Sequence, residues 1–335
     1  MERKTADLGS YIISCHSSHR PTDQIFDQGL THLRPQLESG RMNRILLYPG
    51  CFNPPHRGHQ AALNHAFTYS QDANVIAAIV LPLDDKVVEA KFRRQKQKKS
   101  LVFTKRERVQ LWRGHGTHDW CWIYDRDTQD WQILRRRLTD AINKDGFDLK
   151  FVVVAGPDHI KRDLAPPCNP WDCEEIIVSN VGRAADFVTY RQALARLNDC
   201  GPWKSIIPDD EEILRYARSS ASFLSSGLSL IAPKSLIVLL EREPNIFEKV
   251  IDDIRFDEKK KLKAVSVCSR KGAPEKTIRF IAGEDQMNGV SSTQIRRLIE
   301  TVELEELQAR LESLALNPAI LVELIQVRRK AGLVV

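Results

Sequence analysis

His56 and His59 stand three residues apart at the end of the run LLYPGCFNPPHRGH, Leu46 to His59. On the first turn of a helix that spacing points both imidazoles the same way, at the end where the helix dipole favours anions. Gly58 between them leaves room for a ligand to touch the backbone. Upstream, Gly50, Cys51 and Phe52 form a close-approach loop whose N–H groups can face a phosphate. A second chemical stretch is VSSTQIRR, Val290 to Arg297. Ser291, Ser292 and Thr293 fit an N-cap and first turn, and the forked guanidinium of Arg296 follows one turn on, which together make a phosphate cradle. An acid at a strand's carboxyl end, Asp158 in Gly156-Pro157-Asp158-His159, is a place for a ribose hydroxyl or a magnesium-bound water, or equally a helix cap. The pair His115 and His118 reads as incidental.

These residues need elements to hold them. Arg44 to Tyr48 is short and apolar, as a buried strand is, and Pro49-Gly50 is expected to end it. Pro54-Pro55 then prepares a helix that Ala61, Leu63 and Ala66 carry to about Tyr69. Further strands are expected at Ala73 to Leu83, Leu149 to Ala155, Ile176 to Ser179, Leu262 to Ser269 and Thr277 to Ile281. Helices are expected at Val102 to Arg113 and Gln132 to Asn143, and closing helices at Glu303 to Leu316 and Ala319 to Arg329. Strands alternating with helices imply a doubly wound, Rossmann-like α/β fold with a parallel sheet and the site at its carboxyl ends. Before this core, residues 1–40 read as an arm with an amphipathic segment from Asp23 to Leu37. The core then covers 41–189 and 263–335, interrupted by a serine-rich insertion or added subdomain at 190–262.

The string GCFNPPHRGH closely resembles the signature of the HxGH nucleotidyltransferase superfamily, most like nicotinamide or nicotinate mononucleotide adenylyltransferases. VSSTQIRR resembles the same family's Ile-Ser-Ser-Thr-x-Ile-Arg motif, with Val290 keeping the apolar role of Ile. The resemblance implies ATP as co-substrate, Mg²⁺, and a mononucleotide acceptor. It implies His56 and His59 on the reacting phosphates, and Ser292, Thr293 and Arg296 on the β- and γ-phosphates. Gly156-Pro157-Asp158 resembles the family's Gly-Ala-Asp turn. Arg183, after the strand at Ile176 to Ser179, matches an arginine near the adenine and phosphates; a surface arginine is the other reading. Trp122 and Trp131, in the segment DWCWIYDRDTQDW, match tryptophans at the nicotinamide end, whereas an aromatic cluster also suits a core. The lysine- and arginine-rich run Asp85 to Lys99 is a solvated face or a basic flap over triphosphate.

The 335 residues carry a net charge of +6 and 42% hydrophobic content, enough for a real core and mild for nucleic acid. RNA binding through the basic run lacks interleaved aromatics. Seven scattered cysteines without a Cys-x-x-Cys pair indicate neither a disulfide framework nor zinc, and fit an intracellular setting, cytoplasmic or nuclear. The longest apolar stretch, near Leu228 to Leu240, is broken by Pro233 and Lys234, so no membrane span is expected. Other HxGH transferases, acting on phosphopantetheine or with CTP, and a catalytically idle nucleotide sensor or scaffold are the rival readings. Oligomeric state is not legible.

Overall fold

The computed structural model describes residues 4–16, 25–26, 35–96, 101–114, 119–167, 169–231, 244–283 and 290–332, with side chains at 223–231 and 244–246 left aside. The central strand is β3 (Met42–Gly50), flanked by β4 (Val75–Pro82) and β6 (Asp148–Ala155), both parallel to it. Beyond them lie β5 (Cys121–Ile123) on one side and β7 (Glu175–Ser179), β10 (Ala273–Ile281), β9 (Val265–Arg270) and β8 (Lys204–Ser205) on the other. The eight strands run in the order β5-β4-β3-β6-β7-β10-β9-β8. Strands β5 to β10 in that order are parallel; β9 and β8 continue antiparallel. A small antiparallel pair, β1 (Thr5–Asp7) with β2 (Gln36–Glu38), stands apart.

Because strand side chains alternate, β3 sends Ile45 and Leu47 to one face and Leu46 and Tyr48 to the other. The first face is covered by α1 (Leu8–Cys15) and α5 (Thr128–Lys144). The second is covered by α2 (Arg57–Thr68) and α4 (Lys105–Arg113), with Ile213 of α6 (Asp210–Ile231) and Leu262 of α7 (Pro244–Leu262). Both faces are therefore buried, and consecutive crossovers leave β3 in opposite directions. The result is a doubly wound Rossmann-like α/β fold whose switch point lies between β3 and β6.

Several expectations change. Pro49 and Gly50 end the strand from within it: they are the last two residues of β3, in register with Leu81 and Pro82 of β4. Proline is tolerated there because pairing with β6 stops at Leu47, so its missing donor faces no neighbour. In the arm, the helix is Leu8–Cys15, and Leu37 belongs to a strand; residues 17–24 and 27–34 lie outside the described set. The basic run forms α3 (Asp85–Arg94), with Val88 and Phe92 buried and Lys86, Lys91, Arg93 and Arg94 on the exposed side; Lys98 and Lys99, like His115, His118 and Cys168, lie outside the described residues. The segment 190–262 supplies β8 to the sheet edge besides two helices, so it is joined to the core. The VSSTQIRR motif opens α8 (Ser292–Thr301); of the two closing helices, α9 (Leu304–Leu311) stops short of the expected Leu316, and α10 (Pro318–Lys330) matches its expected span to within one residue at each end. Among the described residues no helix is long and apolar enough to cross a membrane.

Candidate active site

At the carboxyl end of β3 the chain turns through Cys51 to Pro55 before α2 begins. Phe52 adopts a left-handed backbone, φ 45°, a conformation that costs a side-chain-bearing residue roughly 1–2 kcal/mol. Packing holds it there, since the Phe52 ring is buried edge-on against Tyr48, His59 and Trp112, with centroids 5.1, 5.0 and 5.1 Å away. The ring also folds back over Gly50, where a Cβ would lie 2.5 Å from it. Three carbonyl and side-chain ties pin the turn. The Gly50 carbonyl accepts from the Leu83 N–H (2.9 Å), and the Cys51 carbonyl accepts from the guanidinium of fully buried Arg108 (2.9 Å). The Asn53 amide bridges the Leu101 carbonyl and the Phe103 N–H. Among the described residues no acceptor meets the N–H of Cys51, Phe52 or Gly58. Unmet backbone donors at a helix start are what an anionic ligand uses.

His56 caps α2 and His59 follows on its first turn, their rings stacked at 3.6 Å and 25°. The His56 N–H donates to His59 Nδ1 (3.2 Å), so in neutral His59 the ring proton sits on Nε2, leaving a donor there. Burial lowers the pKa of His56 to about 4, helped by the charge of Arg183. Burial also holds His59 well below its ordinary value, with His56, Lys91 and Arg183 adding repulsion. Both rings are therefore neutral at physiological pH. Among the described residues no partner meets the buried Nδ1 of His56.

The second motif meets the first directly. Ser291 caps α8 by accepting from the Gln294 N–H (3.1 Å), and the Ser292 hydroxyl donates to the Pro54 carbonyl (2.8 Å). Arg296, 7% exposed, donates to the Asn53 carbonyl and to Thr293 Oγ1, and its guanidinium lies 4.7 Å over the Phe92 ring. Arg296 is thus engaged in fastening the Asn53–Pro54 turn, a use its motif did not disclose. From β6 and β7 come Asp158 and Arg183, exposed and paired with each other at 2.7 Å. Gly182 approaches closely enough that a Cβ would lie 3.1 Å from the Gly58 carbonyl. The structure therefore gathers Gly50, Cys51, Phe52, His56, Gly58, His59, Asp158, Arg183, Ser291, Ser292, Thr293 and Arg296 around the switch point.

Trp122 and Trp131 are not among them. Trp122 is 4% exposed and Trp131 0%, and both belong to the core on the opposite face of the sheet from α2. Neither offers a ring face to a ligand; strand alternation turns Trp122 toward α1 and α5. The tryptophan beside the histidines is Trp112 of α4, 6.5 Å from the His59 ring, and its buried indole N–H meets no partner among the described residues. Its spacing with Val109 marks it only as a buried helix residue. Asn53 was legible as part of the signature and helix start, but its bonds to Leu101 and Phe103 were not; Arg108 and Phe92 carried no signal, because each acts on a residue far along the chain. A cleft of about 400 Å³ lined by Arg162, Arg196, Asn198 and Lys271 lies away from these groups. Comparison with protein-family models and with curated proteins finds no match for the chain.

Proposed function

We propose that the protein transfers an adenylyl group from ATP to a mononucleotide, with nicotinamide or nicotinate mononucleotide as the acceptor that the motif resemblance favours. The observation that carries this reading is the junction of the two motifs. Ser292 and Arg296 are bonded to the Pro54 and Asn53 carbonyls, and this turn feeds directly into the stacked His56 and His59 at the switch point of the sheet. The acceptor's phosphate oxygen attacks the α-phosphorus of ATP in line, the bond to the bridging oxygen breaks, and pyrophosphate leaves with its electron pair. No side-chain nucleophile is needed, because the attacking phosphate is already anionic. Catalysis is then positioning together with donors aimed at charge developing on the phosphoryl oxygens. Neutral His59 offers Nε2–H, the N–H groups of Cys51, Phe52 and Gly58 offer further donors, and Arg183 and Lys91 supply positive charge. Arg296 and Ser292 hold the turn that carries these donors.

Among the described residues no group of three or more His, Cys, Asp or Glu side chains could hold a metal ion. Mg²⁺, implied by the motif resemblance, would enter on the ATP phosphates as MgATP and would neutralise phosphate charge there. Asp158 is the carboxylate of the crevice that faces a ribose hydroxyl or water around such a complex once Arg183 turns to phosphate.

Purified protein given MgATP and a panel of acceptors is expected to form dinucleotide and pyrophosphate with nicotinamide or nicotinate mononucleotide. His59→Ala, as a control arm, is expected to lower turnover by ~100-fold or more with ATP binding kept. Turnover only with CTP, or only with phosphopantetheine, would overturn the acceptor assignment, and no turnover with any acceptor would overturn the reaction class.

A further inference from the structure

Phe92 lies outside both motifs, on the basic helix α3. Its ring is 3% exposed and, with Val88 four residues earlier, forms the buried face of that helix. Above it sits the guanidinium of Arg296, 4.7 Å from the ring centre. Arg296 is nearly buried and directs one nitrogen to the Asn53 carbonyl and the other to Thr293 Oγ1. A guanidinium carries donors only in its plane, so an aromatic face below it holds that plane while leaving every donor free. The in-plane donors in turn fix the Asn53 carbonyl, whose side chain spans the Leu101 carbonyl and the Phe103 N–H at 2.9 and 2.8 Å. Asn53 stands three residues before His56.

We infer that Phe92 is a positioning residue for the site: its ring orients Arg296, and Arg296 orients the Asn53–Pro54 turn that presents the two histidines. The same ring anchors α3, so one contact sets both the turn and the helix carrying Lys91. The effect on turnover rests on the adenylyl-transfer reading; the positioning does not.

The test compares Phe92→Leu, which keeps an apolar side chain without a π face, with Phe92→Tyr, which keeps the face. Leu138→Ala, in the core on the other face of the sheet, controls for lost stability alone. Hydrogen exchange at the Phe103 amide, bonded to Asn53 Oδ1, reports on the turn in each variant. Phe92→Leu is expected to speed that exchange and to lower kcat about 10-fold with the KM for ATP within about twofold. Phe92→Tyr is expected to restore both, and Leu138→Ala to lower the melting temperature with neither change. Unchanged exchange in Phe92→Leu, or equal loosening in Phe92→Tyr, overturns the inference. If the wild-type protein makes no dinucleotide, the functional reading falls while the exchange comparison still decides the role of Phe92.

Discussion

Stacking and burial act together on the histidines of α2. Two imidazoles 3.6 Å apart repel if both are charged, and the burial of His56 leaves little water to screen that charge. His65, one and a half turns further on, is also held neutral by burial, its pKa lowered to about 4, with Nδ1 2.8 Å from the Ser179 hydroxyl. The three histidines thus resist protons that the unfolded chain takes up. For a histidine with a lowered folded pKa, no stability is lost above the unfolded value near 6.5. Below it the unfolded state binds the proton and the folded state does not, so stability falls until the folded pKa is reached. Glu258, pushed up by burial, works the other way, one proton against three. Each unmatched proton costs about 1.4 kcal/mol per pH unit. Urea unfolding at pH 7, 6 and 5 is therefore expected to show a midpoint that drops steeply below pH 6.5, and His65→Asn is expected to make the drop shallower. A midpoint that stays flat to pH 5 would mean that the rings accept protons in the folded protein.

At the level of elements, the loop after β7 and the first turn of α2 approach closely at Gly182 and Gly58. A Cβ on Gly182 would stand 3.1 Å from the Gly58 carbonyl, closer than side chains ordinarily approach, and a carbonyl in a helix start has little room to yield. Gly182→Ala is expected to cost about 1–3 kcal/mol in denaturant unfolding and to lower ATP affinity, since the shift moves Arg183 away from the histidines. An alanine variant with wild-type stability and affinity would show that the two loops move apart freely. The motif elements were legible because their signals are local: glycine turn, proline pair and histidine spacing for α2, and a serine cap with an apolar face for α8. The alternation of buried strands with amphipathic helices carried the parallel sheet in the same way. What failed was long-range. DWCWIYDRDTQDW reads alike as a core or as a ring platform, and only the face to which β5 turns Trp122 decides. Arg108 stands on a charged helix, yet it is fully buried and joins Cys51, Asp85 and Phe103. Its partners lie up to 57 residues away, beyond any periodicity.

Across the whole molecule, the site depends on chain segments more than 200 residues apart. The Arg57 N–H donates to the Leu314 carbonyl at 2.9 Å, the Arg57 side chain reaches the Glu312 carbonyl, and His56 pairs with Ala315. Residues 312–315 are held in turn by a separate apolar cluster in which Leu307, Leu311, Leu321 and Ile325 of α9 and α10 pack with Ile295 and Ile299 of α8. Asn317 completes the tie by donating to the Leu111 carbonyl of α4. The C-terminal helices therefore clamp the start of α2 without belonging to the sheet. A clamp with its own core can open while the sheet remains folded, as cooperative units do in other proteins. Leu321 is fully buried in that core, and Leu321→Ala is expected to remove about 2–5 kcal/mol from it. Hydrogen exchange should then quicken at the amide of Arg57, which reports the bond to Leu314, while amides in the β3–β6 ladder keep their protection. Equal acceleration at both places would mean that the clamp and the sheet unfold as one unit. The α2 histidines would then have no opening of their own through which a nucleotide enters.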